Sequence, residues 1–226
     1  MISVVFLVSG NGGTLKFLDQ GVHSGIIKNI EIKAVISDRE CDALNYAEKR
    51  GIFNQKVDYI KNKNQKLVSI LETLNPDFIV TTFYKILDEN IVAKFRNKLI
   101  NLHYSLLPAF KGLIGMSTVE EALKLKSKFI GGTCHFVDEF VDNGEIIAQF
   151  VMPVSYPVKI EFLQEIVFRS TCFLLINSLY SLSPQTETIS KINSNIFLNQ
   201  IIYFQPEISF PIFTFNEHFW SELKNK

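Results

Sequence analysis

Two polar side chains end an otherwise apolar stretch near the middle of the chain. Asn101 and His103 follow Leu99 and Ile100 and are separated by a single residue. Because side chains alternate along a strand, Asn101 and His103 at a strand end would lie on the same side of the sheet. An imidazole there suits acid–base catalysis, and an amide suits the stabilisation of an oxyanion. The pair is equally compatible with a strand end that polar residues merely cap.

An acidic stretch, Asp138–Gly144, lies between two predicted strands. A carboxylate in this loop would face the imidazole and raise its pKa by stabilising the charged form. Asn143-Gly144 is also a common turn pair, so a plain hairpin loop with solvated acids is the alternative. His135, on the preceding strand, is expected to be a hydrogen-bonded structural residue.

A glycine-rich turn, Ser9–Thr14, follows the first predicted strand. Its backbone amides, turned inward at the N-terminus of the next helix, would form an anion site suited to a phosphate. The spacing matches neither the dinucleotide-binding fingerprint, since residue 15 is Leu, nor the Walker loop, since Lys16 is misplaced. A tight turn without a ligand is the alternative.

Strands and helices must alternate to bring these residues to one edge of a sheet. Apolar runs typical of buried strands, separated by helical patterns, occur at 2–8, 31–37, 53–57, 78–82 and 97–103. This alternation predicts an α/β fold with a doubly wound, mostly parallel sheet, in which ligands bind at the carboxyl ends of strands. The segments expected after it are a helix at 117–124 with Ser117 as N-cap, antiparallel strands at 133–137 and 145–153, and a long core helix at 159–182.

The C-terminal part is apolar and rich in aromatic residues. The runs 196–204 and 208–215, separated by Gln205-Pro206-Glu207, predict a β-hairpin, and Asn216 is expected to cap a short last helix. A lone hairpin is marginal in water, and one this apolar must be covered. We therefore predict a core at 1–185 and an appendage at 186–226 through which the chain forms a homodimer.

Charge and cysteine content disfavour several classes of protein. The chain has 23 basic and 23 acidic residues, so nothing indicates nucleic-acid binding. Three separated cysteines without a Cys-x-x-Cys motif predict neither a disulfide framework nor a zinc site, and favour a reducing, cytoplasmic setting. The N-terminus lacks the basic region of a signal peptide, and no membrane insertion is expected because no run of 18 apolar residues is present.

In this order, the motifs resemble those of the folate-dependent formyltransferase family. The matching segments are Leu7–Gly12, Phe83–Leu87, Asn101–Pro108, Gly132–Val137 and Asp142–Ile147. The specific signal is Asn-x-His-x-Ser-Leu-Leu-Pro followed at this distance by Asp-x-Gly, and the resemblance extends over about residues 2 to 180.

The resemblance implies transfer of a formyl group from N10-formyltetrahydrofolate to an amine, without a metal. It makes Asn101, His103 and Asp142 the catalytic set. Asn101 and a protonated His103 would donate to the formyl oxygen, and Asp142 would orient His103. The residues expected to hold the folate are Phe83, Tyr84, Lys85, Ile86, Leu87, Asp138 and Val141. Those expected to hold the acceptor are Gly10, Asn11, Gly12, Gly13, Thr14, Tyr104, Ser105 and Lys111.

Two acceptors are open, and the one we expect is a nucleotide-linked amino sugar. Nucleotide-sugar N-formyltransferases, which formylate a 4-amino-4,6-dideoxy sugar on a dTDP carrier for surface polysaccharides such as O-antigen, resemble this chain in their short hydrophobic appendage. The alternative is the phosphoribosylglycinamide formyltransferase of purine biosynthesis, which the overall size and the Ser9–Gly12 start favour.

Three features speak against the purine alternative. Gly13-Thr14 stands where that enzyme usually has Ser-Asn, residues 168–172 of the long helix contain no acid, and 110–116 lacks the usual polar His/Thr run.

Three other classes are disfavoured. Methionyl-tRNA formyltransferases carry a sizeable second domain, and formyltetrahydrofolate hydrolases carry an extra N-terminal domain, and we expect neither here. A non-catalytic nucleotide-binding module is disfavoured because all three catalytic positions carry the expected residue types.

Overall fold

The structure, a computed structural model, describes residues 1–183, 196–198, 200–208 and 210–224 of the 226-residue chain. The helices are α1 (Gly13–His23), α2 (Asp42–Lys49), α3 (Gln65–Leu74), α4 (Glu89–Lys94), α5 (Ser117–Lys124), α6 (Ile160–Ser181) and α7 (Glu217–Lys224). The strands are β1 (Ile2–Val8), β2 (Ile30–Ser37), β3 (Asn54–Lys56), β4 (Phe78–Thr82), β5 (Leu99–His103), β6 (Phe129–Phe136), β7 (Ile146–Pro153), β8 (Ile196–Phe197), β9 (Gln200–Ile201) and β10 (Tyr203–Gln205).

Eight of these strands form a mixed, mostly parallel sheet flanked by helices, which confirms the predicted doubly wound α/β fold class. The chain divides into two compact units, one of Met1–Asn101 with Phe213–Lys226 and one of Leu102–Ile212. The boundary predicted between residues 185 and 186 lies outside the described residues.

The first unit contains the parallel part of the sheet. Its strands follow the order β3-β2-β1-β4-β5, and every neighbouring pair is parallel. All seven residues of β1 are buried, as expected for an apolar strand in a parallel sheet that is covered on both faces. Helix α2 packs on β2 and β3, and α1 packs on α2 and β2. This arrangement fixes the loops that follow β1 and β4.

The second unit contains the antiparallel part. Strand β6 pairs with β7 from Phe129↔Pro153 to His135↔Ile146, and β10 pairs with the other edge of β7. Strand β6 begins at Phe129, before the predicted residue 133. The sequence pattern missed this start because glycine, present at Gly131 and Gly132, is depleted in strands. The loop that connects β6 to β7 carries the acidic stretch identified in the sequence.

Helix α6 packs on β6 and β7, as predicted for a core helix. It is long and apolar enough to cross a membrane by length and composition, and 78% of the apolar window is buried inside the protein. Helix α5 begins at Ser117, but the prediction of Ser117 as its N-cap is wrong. The cap position is Met116, and the Ser117 hydroxyl donates instead to the carbonyl of Ile114.

The prediction of a hairpin between 196–204 and 208–215 is wrong in its pairing. A short hairpin is present, but it joins β8 to β9, while β10 pairs with β7. Among the described residues of the run 208–215, Ile212–Thr214 forms a 3₁₀ turn and no strand is present. Pro211 cannot donate to a ladder, and Phe210 and Phe215 are buried without strand pairing.

Because Phe210 and Phe215 of the tail are buried within the chain itself, the argument that a second copy must cover the tail is weaker. Other large apolar side chains of the tail, among them Ile201, Tyr203 and Phe213, are exposed. The homodimer therefore stays a prediction. The last helix, α7, is confirmed, and Asn216 caps it by accepting a hydrogen bond from the amide of Phe219.

Candidate active site

The polar pair lies at the carboxyl end of β5, as the apolar run before it predicts. Asn101, in the first unit, is half-buried and stands in register with Thr81 of β4. His103, the last residue of β5, belongs to the second unit and is only 4% exposed. A buried imidazole must have polar partners, because an unpaired polar group inside a protein is costly.

Both ring nitrogens of His103 face oxygen atoms. Nε2 lies 3.1 Å from the carbonyl oxygen of Phe110, and Nδ1 lies 3.4 Å from Oδ2 of Asp142. The same Oδ2 accepts a hydrogen bond of 2.8 Å from the amide of Gly112. The segment after Leu106-Leu107-Pro108 thus holds the imidazole and its acid together, which confirms that the carboxylate of Asp142 faces His103.

His135 is hydrogen-bonded, as expected for a structural residue, and it also lies near the same carboxylate. Its Nδ1 lies 2.8 Å from the carbonyl oxygen of Phe136, and its Nε2 lies 3.7 Å from Oδ1 of Asp142. Asp142 therefore lies between two buried imidazoles. The signal that could have identified His135 is its strand position two residues after Thr133, at the end of β6 next to the acidic loop.

The pKa of His103 departs from the expectation. Burial lowers it below its ordinary value and outweighs the opposing effects of the Asp142 charge and the hydrogen bond to Phe110. Burial likewise lowers the pKa of His135. The expected effect of the carboxylate itself is confirmed, since the Asp142 charge acts to raise the pKa of His103, but burial of the ring lowers that pKa by more. In this state of the protein, the neutral imidazole is favoured near pH 7.

The residues just after β5 form hydrogen bonds mainly with groups close to them in the chain. The buried Ser105 donates its hydroxyl to the carbonyl of Ala109 at 2.6 Å, and the carbonyl of Tyr104 accepts from Thr118. Lys111 extends to the acidic loop, where its ammonium donates to Oδ1 of Asn143 at 2.8 Å. The contacts of Tyr104, Ser105 and Lys111 with an acceptor stay predictions.

The acidic loop is organised by Asp138. Its carboxylate accepts from the amide of Phe140 at 3.0 Å and from the side chain of Asn143 at 3.3 Å. Val141 is exposed, and Asp142 takes the left-handed backbone conformation at a φ of 50°. A non-glycine residue in that region is uncommon and is often found at functional sites.

The glycine-rich loop has the geometry of an anion site. Gly12 precedes α1 with a φ of 67°, a conformation that favours glycine, and no side chain caps the helix. The first amides of α1, beginning at Gly13 and the buried Thr14, have no acceptor within the helix. Asn11 is exposed at the tip of the loop. A phosphate is suited to such a helix terminus, and its binding here stays a prediction.

The segment after β4 contacts the glycine-rich loop within the first unit. A Cβ atom on Gly10 would lie 2.7 Å from the hydroxyl of Tyr84, so the Tyr84 side chain approaches the backbone of the loop closely at this position. The amide of Tyr84 donates to the hydroxyl of Ser9, which in turn donates to Asp38. Burial opposes ionisation of Asp38, but hydrogen bonds from Arg39 and Ser9 hold its pKa below the ordinary value.

In the predicted folate segment, 83–87, the three consecutive side chains of Tyr84, Lys85 and Ile86 are exposed, whereas Leu87 is buried. The ammonium of Lys85 turns back toward the carbonyl of Tyr59, at 3.0 Å. The exposed part of the segment thus carries two large side chains, Tyr84 and Ile86, that offer apolar surface to a flat heteroaromatic ring, with the charged Lys85 between them.

The structure places none of the described His, Cys, Asp and Glu residues in a group of three that could hold a metal ion. Cys134 and Cys172 are buried thiols, and burial raises the pKa of Cys134 to about 12. These thiols are therefore poor nucleophiles.

Comparison with known proteins identifies the family. The formyl transferase family model matches residues 2–167. Phosphoribosylglycinamide formyltransferase of Vigna unguiculata is 33% identical over 65% of this chain and 50% of its own length. Formyltetrahydrofolate deformylase of Haemophilus influenzae is 33% identical over 59% of this chain and 48% of its own. The chain spans about half the length of these curated relatives.

A solved structure agrees with this assignment. Phosphoribosylglycinamide formyltransferase from Anaplasma phagocytophilum is 30% identical, with a TM-score of 0.69 over 79% of this chain and 85% of that one. The family resemblance of the motifs is thereby confirmed, whereas these comparisons do not support the nucleotide-sugar type. The chain belongs to the formyl transferase family.

Proposed function

We propose that this protein transfers a formyl group from N10-formyltetrahydrofolate to the primary amine of a small acceptor. The observation that carries the proposal is the buried His103, with Nδ1 3.4 Å from Asp142. An imidazole whose pKa is lowered by burial is neutral near pH 7, and a neighbouring carboxylate stabilises the imidazolium once it forms.

The chemistry assigns each residue a task. The acceptor nitrogen attacks the formyl carbon, forming the new C–N bond, and negative charge develops on the formyl oxygen. Asn101, two residues before His103 on the same strand, donates to that oxygen from its amide. His103 takes the proton that the amine loses and passes it to N10 of the folate as the old C–N bond breaks. This neutral starting state replaces the protonated His103 expected from the sequence.

Two segments, each considered within its own unit, offer surface suited to the formyl donor. The segment 83–87 exposes Tyr84 and Ile86, and the acidic loop exposes Val141. Asp138 holds the conformation of the acidic loop through its bonds to Phe140 and Asn143. A pterin ring combines a flat apolar face with polar edges that backbone groups can pair, so these residues fit it.

For the acceptor, we propose glycinamide ribonucleotide, which was the alternative to the nucleotide sugar. The support is that the relative from Vigna unguiculata and the solved structure from Anaplasma phagocytophilum are both phosphoribosylglycinamide formyltransferases. The glycine-rich loop at the start of α1 suits the single phosphate of this acceptor. This choice places the protein in purine biosynthesis.

A dTDP-linked 4-amino-4,6-dideoxy sugar is the second candidate, and two observations favour it. On α6, Arg169 is buried, and its Nε and Nη2 atoms both lie 2.7 Å from Oε1 of Glu165. Residues 168–172, where the purine enzyme usually has an acid that holds its acceptor, contain no acid, and the nearest one, Glu165, is about a turn earlier and paired with Arg169. The exposed side chains of Leu113 and Ile114 stand where that enzyme usually has polar residues.

The experiment offers each acceptor separately with N10-formyltetrahydrofolate and follows tetrahydrofolate formation. We expect turnover with glycinamide ribonucleotide, and loss of that turnover in His103→Ala. Turnover with the amino sugar alone would show that the acceptor is the second candidate and not glycinamide ribonucleotide. Wild-type rates that equal those of His103→Ala with both acceptors would reject formyl transfer to either.

A further inference from the structure

One buried tyrosine holds the segment 83–88 from its inner side. The hydroxyl of Tyr59 donates to the carbonyl of Ile86 at 3.3 Å and accepts from the amide of Asp88 at 2.8 Å. Tyr59 is 6% exposed, whereas the side chain of Ile86 is 69% exposed. A single oxygen atom therefore fixes the backbone behind the exposed face of the segment.

The ring and backbone of Tyr59 contact two further residues of the segment. The Phe83 ring meets the Tyr59 ring edge to face, with centroids 5.9 Å apart. The ammonium of Lys85 lies 5.9 Å from the centroid of the Tyr59 ring and donates to the Tyr59 carbonyl. Tyr59 thus contacts four of the six residues from 83 to 88.

The residues after Tyr59 anchor the end of the same segment. The carboxylate of Asp88 accepts hydrogen bonds from the amide of Asn62 and from the side chain of Asn64. Asp88 precedes helix α4, whose first residue is Glu89. A second segment, 59–64, therefore holds the conformation of 83–88, which connects β4 to α4. None of the family motifs includes this second segment.

We propose that Tyr59 is a positioning residue for the formyl donor, acting by fixing the carbonyl of Ile86 and the amide of Asp88 so that the segment 83–87 is shaped to receive the folate ring. This inference rests on the proposed function, because it takes 83–87 as the donor segment. Burial raises the pKa of Tyr59 to about 12, so the hydroxyl keeps its proton for Ile86 across the working pH range. A preformed backbone lowers the cost of ordering on binding.

The test compares Tyr59→Phe with a matched control. Tyr59→Phe keeps the ring and removes the oxygen. Tyr46→Phe removes the hydroxyl of another buried tyrosine in the same unit, which donates to Asp19 at 2.6 Å and not to the donor segment. Tetrahydrofolate binding is measured by calorimetry, which needs no turnover. Steady-state kinetics then give the KM for N10-formyltetrahydrofolate, the KM for the acceptor, and kcat.

We expect Tyr59→Phe to raise the Kd for tetrahydrofolate and the donor KM about tenfold, which corresponds to about 1.4 kcal/mol. The acceptor KM and the kcat at saturating donor should stay within about twofold, and Tyr46→Phe should leave the Kd unchanged. Hydrogen–deuterium exchange adds a readout independent of binding, and it should show faster exchange at 83–88 in Tyr59→Phe alone.

Other results overturn the inference. A Kd in Tyr59→Phe equal to that of the wild type, an equal rise in both variants, or unchanged exchange at 83–88 would each remove the positioning role while leaving the proposed function intact. A wild-type protein that does not bind tetrahydrofolate would overturn the proposed function, and this inference with it.

Discussion

Nδ1 of His103 lies 3.4 Å from Oδ2 of Asp142, while Nε2 of the same ring faces the carbonyl oxygen of Phe110 at 3.1 Å. A neutral imidazole carries one proton and can donate in only one of these contacts, whereas an imidazolium can donate in both. Because burial lowers the pKa of His103, the protein holds the neutral ring in a setting already arranged for the charged one.

Replacing the carboxylate should slow the proposed transfer strongly. Asp142→Asn keeps an acceptor for the amide of Gly112 but removes the charge that stabilises the imidazolium. We expect kcat to fall about 10²-fold, in the range typical of acid–base groups. The pKa of His103 should fall further, so the acidic limb of the pH–rate profile should move to lower pH. Glu139→Gln, an exposed acid on the same loop, is the control, and an unaltered profile in Asp142→Asn would contradict the role.

Stability should decrease as the pH falls below about 6.5. Burial lowers the pKa of both His103 and His135 from the ordinary value of 6.5, so the unfolded chain binds more protons than the folded one in this range. The stabilisation is complete above the unfolded pKa and is lost as the pH falls through the folded one, by at most about 1.4 kcal/mol per pH unit for each histidine. Urea unfolding between pH 7 and 5 measures the slope. His103→Gln should have a flatter slope, and an equally steep one would reject this origin.

The second histidine should affect the rate through Asp142. His135→Gln removes the ring whose Nε2 lies 3.7 Å from Oδ1 of that carboxylate. We expect kcat to fall about tenfold, which is at the lower end of the losses seen when a residue that orients a functional group is removed. The acceptor KM should stay unchanged. His218→Gln, on the exposed surface of α7, should have no effect on kcat. Equal effects of the two substitutions would show that His135 does not act through the site.

The aromatic tail should contribute to stability in a position-dependent way. Trp220 stacks on Phe17 of α1 with centroids 5.3 Å apart, and its indole donates to the carbonyl of Phe215 at 2.9 Å. Trp220→Ala should lower the free energy of unfolding by about 3–5 kcal/mol, as expected for a buried tryptophan. Phe213→Ala, at a side chain that is 74% exposed, should change it by less than about 0.5 kcal/mol. Thermal and urea unfolding compare the two, and similar losses would contradict the assigned packing.

The sequence predicts the parallel part of the sheet well, because there the signals are local. Buried strands such as β1 are continuous apolar runs, and glycines or prolines mark their ends. The position of Asn101 and His103 at a strand end follows from the same pattern. The approach of a carboxylate of the acidic loop to His103 also follows from the order of the strands, but the choice of Asp142 among the acids of that loop needed the family resemblance.

Features that depend on distant contacts could not be predicted. The partner of His103 at Nε2 is a backbone oxygen of Phe110, which carries no side-chain signal. The net direction of the His103 pKa depends on how completely the ring is buried, which only the packed structure provides. In the tail, aromatic content correctly indicates burial at Phe210 and Phe215, but strand propensity does not identify the surface that covers them.

The packing of the tail on α1 has a consequence for biosynthesis. Phe17 contacts Phe215, Phe219 and Trp220, so residues about 200 positions apart complete one aromatic cluster. Domains usually begin to fold from the N-terminus while the ribosome is still elongating the chain. Phe17 therefore stays uncovered by the tail until the tail has been synthesised, and the nascent first unit presents an apolar surface that is prone to aggregation.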